Sequence, residues 1–397
     1  MRPAPVLAAG GRTVANLLSS TEWMLPSPAT QVHTVSVLPS HSPSLRHEFA
    51  FSNLATSLRN GASGKGSGEL GSPRFYMVRD DLLHPLANGN KARKLDALLP
   101  LLRRRGATDI VRIDPRVTCG GCQSAHAAAV GKFIVNFLYL GTLCGTRNQA
   151  PYTAERRAAG CSDRVAGTNG TVIWADDVII ENLVVDEDSI DVNGSRRVVI
   201  VKEGAGSVQA LLGVMRLVEY LSSLTLFGKD EKVHIVVDAG TGTTAVGLAL
   251  GAVCLGLQWR VTAVMLADTL ERYKEREKSL ISDFKRLCHE LYHGMVEDGS
   301  HDSLVQWVDR SSPRRFGKVL HGEIAMCREI AQQTGILLDP MYTLAGWEQA
   351  VKLCRGDSET KVVMIHTGGT LGLFGLAQRY SLQFTTDELR QSKGGQP

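Results

Sequence analysis

Four mostly apolar segments of this chain each end in a glycine-rich turn that leads into a helical pattern. The segments are residues 75–78, 110–113, 233–238 and 361–366. Alternation of strands and helices, with glycines at the strand ends, is typical of a parallel, doubly wound α/β sheet. Ligands of such sheets bind beyond the carboxyl ends of the strands, where these turns lie. We therefore expect an α/β fold with its functional site built from the turns.

The composition is that of a folded protein and argues against two classes of partner. The chain has 397 residues, 43% hydrophobic and 21% charged, with a net charge of +4. Because this charge is small for the length and no dense Lys/Arg run occurs, we expect no nucleic-acid partner. No uncharged apolar stretch reaches about 18 residues, so we expect no membrane span. Eight cysteines are too few for a disulfide scaffold and fit a reducing compartment.

The first sixty residues differ in composition from the rest. Residues 1–20 contain Arg2 and Arg12 with several Ser and Ala, and the first acidic residue is Glu22. Mitochondrial transit peptides have this composition, and so do ordinary disordered termini. We therefore expect residues 1–60 to be poorly ordered. The localisation predicted from a transit peptide is mitochondrial, with cytoplasmic as the alternative.

The turn after the third apolar segment has the composition of a phosphate site. Residues 240–244 (GTGTT) offer backbone amides, hydroxyl groups and a helix N-terminus to an anion. No Gly-Lys-Ser/Thr follows, and Gly247 comes one residue too late for a G-x-G-x-x-G pattern. A single phosphate is therefore favoured over a dinucleotide. The structural alternative is that these glycines serve only helix packing.

Lys91 lies at the start of a predicted helix, where cations oppose the helix dipole. Leucines recur at helical spacing over residues 95–102, and Arg93 and Lys94 add charge to the same first turn. Such surroundings lower the pKa of a lysine and favour Schiff-base chemistry, although most lysines at helix ends point to water. Together with the phosphate turn, Lys91 predicts pyridoxal 5′-phosphate as the cofactor.

A further glycine turn, residues 118–124 (TCGGCQS), precedes an alanine-rich segment that we predict to be helical over 125–130. Ser124 at the start of this helix could bind a substrate carboxylate together with backbone amides, or it could simply cap the helix. Cys119 and Cys122 could form a redox dithiol or half of a zinc site. Zinc would require a second close pair of ligands, which the other cysteines do not supply.

One motif points to another class of function. His289, Glu290 and His293 match the H-E-x-x-H pattern of zinc metalloproteases, in which two histidines on one helix face bind zinc and the glutamate is the base. Glu323 is available as a third ligand. The structural alternative is a charged surface helix that begins at about Leu270.

Several of these motifs together resemble the 1-aminocyclopropane-1-carboxylate deaminase and D-cysteine desulfhydrase family. These are pyridoxal-phosphate enzymes of fold type II, with a tryptophan synthase β-like fold. The matching segments, in the family's order, are 89–95 (GNKARKL), 120–124 (GGCQS), 239–244 (AGTGTT), 339–343 (DPMYT) and 366–369 (HTGG). The likeness covers about 75–130 and 170–380, and it is greatest to the plant mitochondrial D-cysteine desulfhydrases of the family. It implies two doubly wound parallel-sheet domains, a small amino-acid substrate and a homodimer.

The resemblance also implies roles for individual residues. Lys91 would form the Schiff base with the cofactor and move a proton at the substrate Cα. Ser124 would be the nucleophile of a deaminase or the carboxylate contact of a desulfhydrase, and Tyr342 would act near the leaving group or the nucleophile. No metal is implied. The residues implied to bind the cofactor are Lys91, Asn90, Gly240, Thr241, Gly242, Thr243, Thr244 and Thr367.

The residue after Tyr342 separates the two activities of the family. Deaminases have Glu there, whereas this chain has Thr343. A neutral hydroxyl from Thr343 or Thr367 would leave the cofactor ring nitrogen less protonated, which suits elimination of a thiol better than opening of a cyclopropane ring. We therefore predict a D-cysteine desulfhydrase that forms pyruvate, hydrogen sulfide and ammonia. The alternatives are the deaminase, an inactive family member and the zinc metalloprotease.

The domain organisation follows from the same resemblance. It predicts a large cofactor-binding domain from 61–110 and 220–390, and a small domain from 111–219. Within the small domain, residues 131–164 show no likeness to the family. The abrupt junction after Val130 fits a retained intron or a shifted reading frame, and the activity of the chain depends on whether the segment is genuine.

Overall fold

The computed structural model describes most of the chain outside the predicted small domain. Side chains are described except at 53, 109–113, 124–126, 198–203 and 287. The described residues are 14–39, 48–53, 72–84, 87, 89–104, 109–113, 124–126, 198–288, 303–356 and 359–384.

The described residues form ten strands, nine α-helices and two short 3-10 turns at Asp80–Leu82 and Glu203–Ala205. The strands are β1 (Val32–Leu38), β2 (Glu48–Asn53), β3 (Arg74–Val78), β4 (Asp109–Ile113), β5 (Ser124–His126), β6 (Val198–Lys202), β7 (Val233–Ala239), β8 (Trp259–Met265), β9 (Gln306–Asp309) and β10 (Lys361–Ile365). The helices are α1 (Val14–Ser20), α2 (Asn90–Arg104), α3 (Val208–Leu221), α4 (Thr243–Cys254), α5 (Leu270–Leu287), α6 (Glu323–Thr334), α7 (Thr343–Leu353), α8 (Thr370–Arg379) and α9 (Ser381–Phe384).

The main sheet has seven strands in the order β2-β1-β3-β10-β7-β8-β9. The last five of these are parallel, and β1 pairs antiparallel with both β2 and β3. Strand β7, in the middle of the parallel part, has five apolar residues among its seven and is buried along almost its whole length, as expected for a parallel strand covered on both faces. The predicted α/β fold is therefore confirmed, and the sheet is mixed because two antiparallel strands extend one edge.

Two apolar cores lie on opposite faces of this sheet. Because successive side chains of a strand point to opposite faces, Ile235 and Val237 of β7 join one core and Val236 joins the other. The first core includes residues of α1, α3, α4 and α5, and the second includes residues of α6 and α7. Helices on both faces leave the carboxyl ends of β7 and β10 as the place where the glycine turns meet.

The N-terminal region differs from expectation. Residues 14–39 and 48–53, which we expected to be poorly ordered, form α1 and two strands of the main sheet. Val14 and Leu18 lie in the core, and the Arg216 guanidinium stacks over the Trp23 ring at 4.5 Å. Asp96 of α2 accepts hydrogen bonds from the Leu25 amide and from Arg216, both at 2.7 Å. These long-range contacts order a segment whose local composition gives no sign of them.

Helix α3 belongs to the body of the main sheet. It packs against both α2 and α4, and its residues supply much of the first core. A Cβ atom at Gly213 would lie 1.9 Å from the Arg93 carbonyl oxygen, so a glycine is needed where α3 and α2 approach closely. The part of the predicted small domain that forms α3 therefore packs with the helices of the main sheet.

A second sheet has the strand order β5-β4-β6, with β6 parallel and β5 antiparallel to β4. The predicted helix over 125–130 is wrong at its start, because Ala125 and His126 pair with β4 and their backbone groups serve the sheet. The segment 131–164 lies outside the described residues. None of the helices described in the structure is long and apolar enough to cross a membrane.

Candidate active site

The Lys91 turn packs directly on the carboxyl end of β10. Lys91 is the second residue of α2, at the helix start that the leucine spacing predicts. It is partly exposed. Gly89 before it has φ +71°, and a Cβ atom there would lie 1.8 Å from the Thr367 carbonyl oxygen. That oxygen accepts a hydrogen bond from the Asn90 amide at 3.0 Å. The turn is thus fixed by a backbone contact that only glycine permits.

The turn from β7 into α4 has the features of an anion site. Gly242 is the N-cap of α4 with φ +87°, and no side chain caps the helix. The first amides of a helix have no acceptor within it and carry the positive end of its dipole. Thr243 and Thr244 are buried at this helix start, and the Thr241 and Thr243 hydroxyls lie 3.3 Å apart. Residues 240–244, called the cup below, therefore offer donors to an anion.

One side chain joins the lysine turn to the cup. The Asn90 amide nitrogen donates to the Thr244 hydroxyl oxygen at 3.0 Å, across 154 residues of sequence. Since the Asn90 backbone is bonded to Thr367, three predicted site segments meet at this residue. Lys91, the next residue, is consequently held beside both the cup and the end of β10.

A buried carboxyl group lies behind this junction. The Thr367 hydroxyl donates to Asp238 Oδ1 at 2.6 Å, and both side chains are buried. Burial, together with the nearby charge of Asp339, raises the pKa of Asp238 to about 7. In the sequence, Asp238 is only the acidic residue at the end of the apolar segment 233–238. No local pattern predicts its hydrogen bond to Thr367.

Asp339 fixes the start of α7 and the position of Tyr342. Its carboxylate accepts the amides of Met341 and Tyr342, each at 2.9 Å. The Thr343 hydroxyl donates to Asp339 Oδ2 at 3.0 Å and accepts the Asp339 amide at 2.8 Å, so this hydroxyl serves the cap. The Tyr342 ring lies against the cup, because a Cβ atom on Gly240 would be 3.5 Å from its Cε1.

Two aromatic residues that the sequence did not single out support the cup from behind. Tyr273 and Trp307 stack with ring centroids 4.8 Å apart, and a Cβ atom on Gly242 would lie 2.9 Å from Trp307. The Tyr273 hydroxyl donates to the carbonyl oxygens of Ala239 and Gly240, at 2.6 and 2.8 Å. It also accepts two amides that follow β8. This hydroxyl therefore holds the entry to the cup in place.

We expect Tyr273→Phe to destabilise the fold by about 1–3 kcal/mol, because it removes the hydroxyl that four backbone groups share, although Leu266 and Ala239 keep their bond to each other. The same change should weaken binding of pyridoxal 5′-phosphate, since the cup loses its support. Urea unfolding and a ligand titration measure the two effects. The matched control is Tyr220→Phe, which removes a single longer bond to Thr30 at 3.3 Å and should leave ligand affinity unchanged. Equal effects of the two changes on affinity would contradict the role of Tyr273.

The charges around Lys91 differ in one respect from the sequence argument. Arg93 does not add an unbalanced cation to the first turn of α2. Its guanidinium pairs with Asp80 at 2.7 Å, and both side chains are about 1% exposed. Since this charge is matched, the crowding of cations inferred at Lys91 is smaller than the sequence indicates.

Several residues predicted for the site lie where the structure describes no side chain. The backbone of Ser124 lies in β5, and its side chain is not described. Cys119, Cys122 and the motif from His289 to His293 lie outside the described residues. Within the described part of the chain, no group of three or more His, Cys, Asp or Glu side chains is arranged to hold a metal ion.

Comparison with solved structures supports the fold. The crystal structure of a homologue of 1-aminocyclopropane-1-carboxylate deaminase matches 94% of this chain and 99% of its own, with a TM-score of 0.56 and 20% identity. No protein-family model matches the chain.

Comparison with known sequences identifies the family. A protein of Oryza sativa subsp. japonica, provisionally named D-cysteine desulfhydrase 2, mitochondrial, is 68% identical over 98% of this chain and 100% of its own length. A D-cysteine desulfhydrase of Salmonella paratyphi A is 26% identical over 76% of this chain and 88% of its own. A protein of Pyrococcus abyssi, provisionally named 1-aminocyclopropane-1-carboxylate deaminase, is 28% identical over 75% of this chain and 85% of its own length. The chain belongs to the D-cysteine desulfhydrase and 1-aminocyclopropane-1-carboxylate deaminase family of enzymes.

Proposed function

We propose that this chain is a pyridoxal 5′-phosphate-dependent D-cysteine desulfhydrase. The reaction converts D-cysteine and water to pyruvate, hydrogen sulfide and ammonia. The observation that carries the proposal is the junction at Asn90, whose backbone bonds Thr367 and whose side chain bonds Thr244. It holds a lysine beside a helix N-terminus that is suited to a phosphate. A lysine and an anion site in one place are what this cofactor requires of a protein.

The described residues fit the cofactor on structural grounds. A side chain on Gly242 would meet Trp307 and Tyr273 behind the cup, so glycine at this position lets the turn pack closely on the two rings that support it. The cup would hold the phosphate through the first amides of α4 and the hydroxyls of Thr241, Thr243 and Thr244. When bound, the cofactor supplies an electron sink for charge that develops at the substrate Cα.

The protein's own groups would divide the remaining work. Lys91 would bind the cofactor and then take and return the proton at the substrate Cα, because its backbone follows Asn90, where the turns meet. Ser124 would bind the substrate carboxylate. Tyr342, held against the cup by the Asp339 cap, would lie near the departing thiol. Thr367 would face the ring nitrogen, since the Thr343 hydroxyl both donates to Asp339 and accepts from it, whereas the Thr367 hydroxyl donates to Asp238 and can accept a hydrogen bond from the ring.

The choice of substrate rests on the partner of the ring nitrogen. Deaminases of the family have a glutamate after the tyrosine, and this chain has Thr343 there. A hydroxyl partner supports the electron sink less strongly than a carboxylate does, which suits loss of a good leaving group such as a thiol. The desulfhydrase is therefore favoured over the deaminase.

Product assays on the purified protein test this choice. With added pyridoxal 5′-phosphate, we expect sulfide release from D-cysteine to exceed ammonia release from 1-aminocyclopropane-1-carboxylate, because of the hydroxyl partner at the ring nitrogen. L-cysteine serves as the control for chirality. Faster turnover of the cyclopropane substrate would assign the deaminase instead, and turnover of neither substrate would assign an inactive family member.

Three further points belong to the proposal. The named relative from Oryza sativa supports a mitochondrial location for this chain. We propose a homodimer, as the family resemblance implies, and a small domain built largely from residues between 111 and 207. Sequencing of the native transcript tests whether the bases that encode 131–164 are retained in the mature message.

A further inference from the structure

A buried hydrogen bond joins the side chains of Asp238 and Thr367. It links the carboxyl ends of two adjacent parallel strands, β7 and β10, at the edge where the cup and the lysine turn meet. The exposed fractions are 5% for Asp238 and 8% for Thr367, and the two oxygens are 2.6 Å apart. Residue 240, two positions after Asp238, begins the cup. The carboxyl group is therefore part of the site's floor and not of the remote core.

The groups that face Asp238 oppose one another. Asp339, at the start of α7, disfavours its charged form, whereas Lys94 of α2 and the Thr367 hydroxyl favour it. Burial is the largest influence, and the resulting pKa is about 7. The carboxyl group thus changes protonation close to neutral pH, and the direction of its hydrogen bond with Thr367 changes with it.

We propose that Asp238 is a positioning residue that sets, through the Thr367 hydroxyl, whether the cofactor ring nitrogen carries a proton. The inference rests on the proposed function, which places Thr367 at that nitrogen. When Asp238 is a carboxylate, Thr367 donates its proton to Asp238 and offers only lone pairs, so the nitrogen keeps its own proton to make the bond. When Asp238 is protonated, it donates to Thr367, and Thr367 donates to an unprotonated nitrogen.

This arrangement changes how a neutral hydroxyl affects protonation of the ring nitrogen. A lone hydroxyl would leave the nitrogen weakly protonated at every pH. A hydroxyl backed by a carboxylate stabilises the protonated ring when Asp238 is ionised, so the electron sink is stronger than it would be with a lone hydroxyl. The carboxylate that deaminases place directly at the ring is here one hydroxyl further away.

Nitrogen-15 NMR of the holoenzyme with ¹⁵N-labelled pyridoxal 5′-phosphate tests the inference. In the wild type, we expect the ring nitrogen to stay protonated to a higher pH than in Asp238→Asn, because the Asp238 carboxylate supports the protonated ring through the Thr367 hydroxyl. An amide at position 238 would donate to that hydroxyl, as a protonated carboxyl group does, and would favour the unprotonated ring. The midpoint of the ring-nitrogen titration should therefore fall by about one pH unit or more in Asp238→Asn. A signal that behaves alike in both proteins would overturn the inference.

Two further comparisons guard the result. Thr367→Val should lower the midpoint as Asp238→Asn does, and Thr367→Ser should keep the midpoint of the wild type, so this pair decides the question even if Asp238→Asn does not fold. Glu219→Gln is the matched control, since burial raises the pKa of this carboxyl too, and its neighbour Val218 packs at Gly251, near the other end of α4 from the cup. It should leave the midpoint of the wild type unchanged.

The outcomes also separate this inference from the proposed function. A protein that binds no cofactor would overturn both. A bound cofactor whose ring nitrogen follows Asp238, without sulfide release from D-cysteine, would overturn the desulfhydrase and leave the relay standing. Sulfide release with a ring nitrogen that ignores Asp238 would overturn the relay alone.

Discussion

Replacement of Lys91 by alanine is expected to abolish sulfide release from D-cysteine and the visible absorbance of the bound cofactor. The lysine amine has two roles in the proposed reaction, as the attachment point of the cofactor and as the group that moves the proton at the substrate Cα. Loss of a positioned acid–base group alone lowers the rate by about 10²–10⁴-fold. We therefore expect the decrease to reach or exceed this range.

Two comparisons make the Lys91 result specific. Lys91→Arg keeps a cation at the start of α2 but removes the reactive amine, so it should be as inactive as the alanine variant. Lys278→Ala removes an exposed lysine of α5 and should leave both activity and absorbance unchanged. If Lys91→Ala retained the absorbance and the turnover of the wild type, the assignment of the lysine would be wrong. Urea unfolding of all variants separates a chemical effect from a loss of folding.

The sequence predicted the parts of the site that depend on local pattern. Apolar runs followed by glycine turns placed β3, β7 and β10, and leucine spacing placed Lys91 at the start of α2. These predictions succeeded because a buried parallel strand and a helix face each leave a short, regular signal. The same reasoning predicted a helix at Ala125, where the structure has β5, since alanine content does not reveal strand pairing with β4.

The contacts that assemble the site depend on residues far apart in the chain. Asn90 bonds Thr244 across 154 residues, and Thr367 bonds Asp238 across 129. No local periodicity encodes such pairs. The proposal of Thr367 rather than Thr343 as ring partner likewise draws on a contact that the sequence does not reveal, the hydrogen bonds between the Thr343 hydroxyl and Asp339. The roles of the individual site residues stay predictions until the variants are measured.

The order of the N-terminal region was missed for a related reason. Strand β1 (VHTVSVL) alternates apolar and polar residues, which is the pattern of a half-buried strand. The basic, serine-rich composition of residues 1–20 is typical of a transit peptide and gives no sign of this strand. Its partners β2 and β3 pair with it in antiparallel fashion and extend the edge of the sheet.

Replacement of Gly89 by alanine is expected to be among the most damaging small changes in the described structure. Gly89 has φ +71°, and the added Cβ would lie 1.8 Å from the Thr367 carbonyl oxygen. The turn would have to move away from β10, and the bond from the Asn90 amide to that oxygen would be lost. Backbone strain, overpacking and the lost hydrogen bond together amount to about 3–5 kcal/mol.

The functional effect of Gly89→Ala should be larger than its effect on stability suggests. Any shift of the turn moves Lys91 and breaks the link from Asn90 to the cup, so cofactor content should fall together with activity. Gly256→Ala is the matched control. Gly256 has a similar φ of +67° with nothing within 4 Å of its added Cβ. It should therefore cost only the strain of the left-handed conformation, about 1 kcal/mol, and leave cofactor content unchanged.

Urea unfolding and cofactor content of the purified variants measure these effects side by side. The difference between the two alanine variants isolates the contact with Thr367, because the backbone conformation they strain is nearly the same. If Gly89→Ala cost no more than Gly256→Ala and bound the cofactor normally, the lysine turn would not depend on its packing against β10. The junction at Asn90 would then lose its place as the feature that joins lysine, cup and strand end into one site.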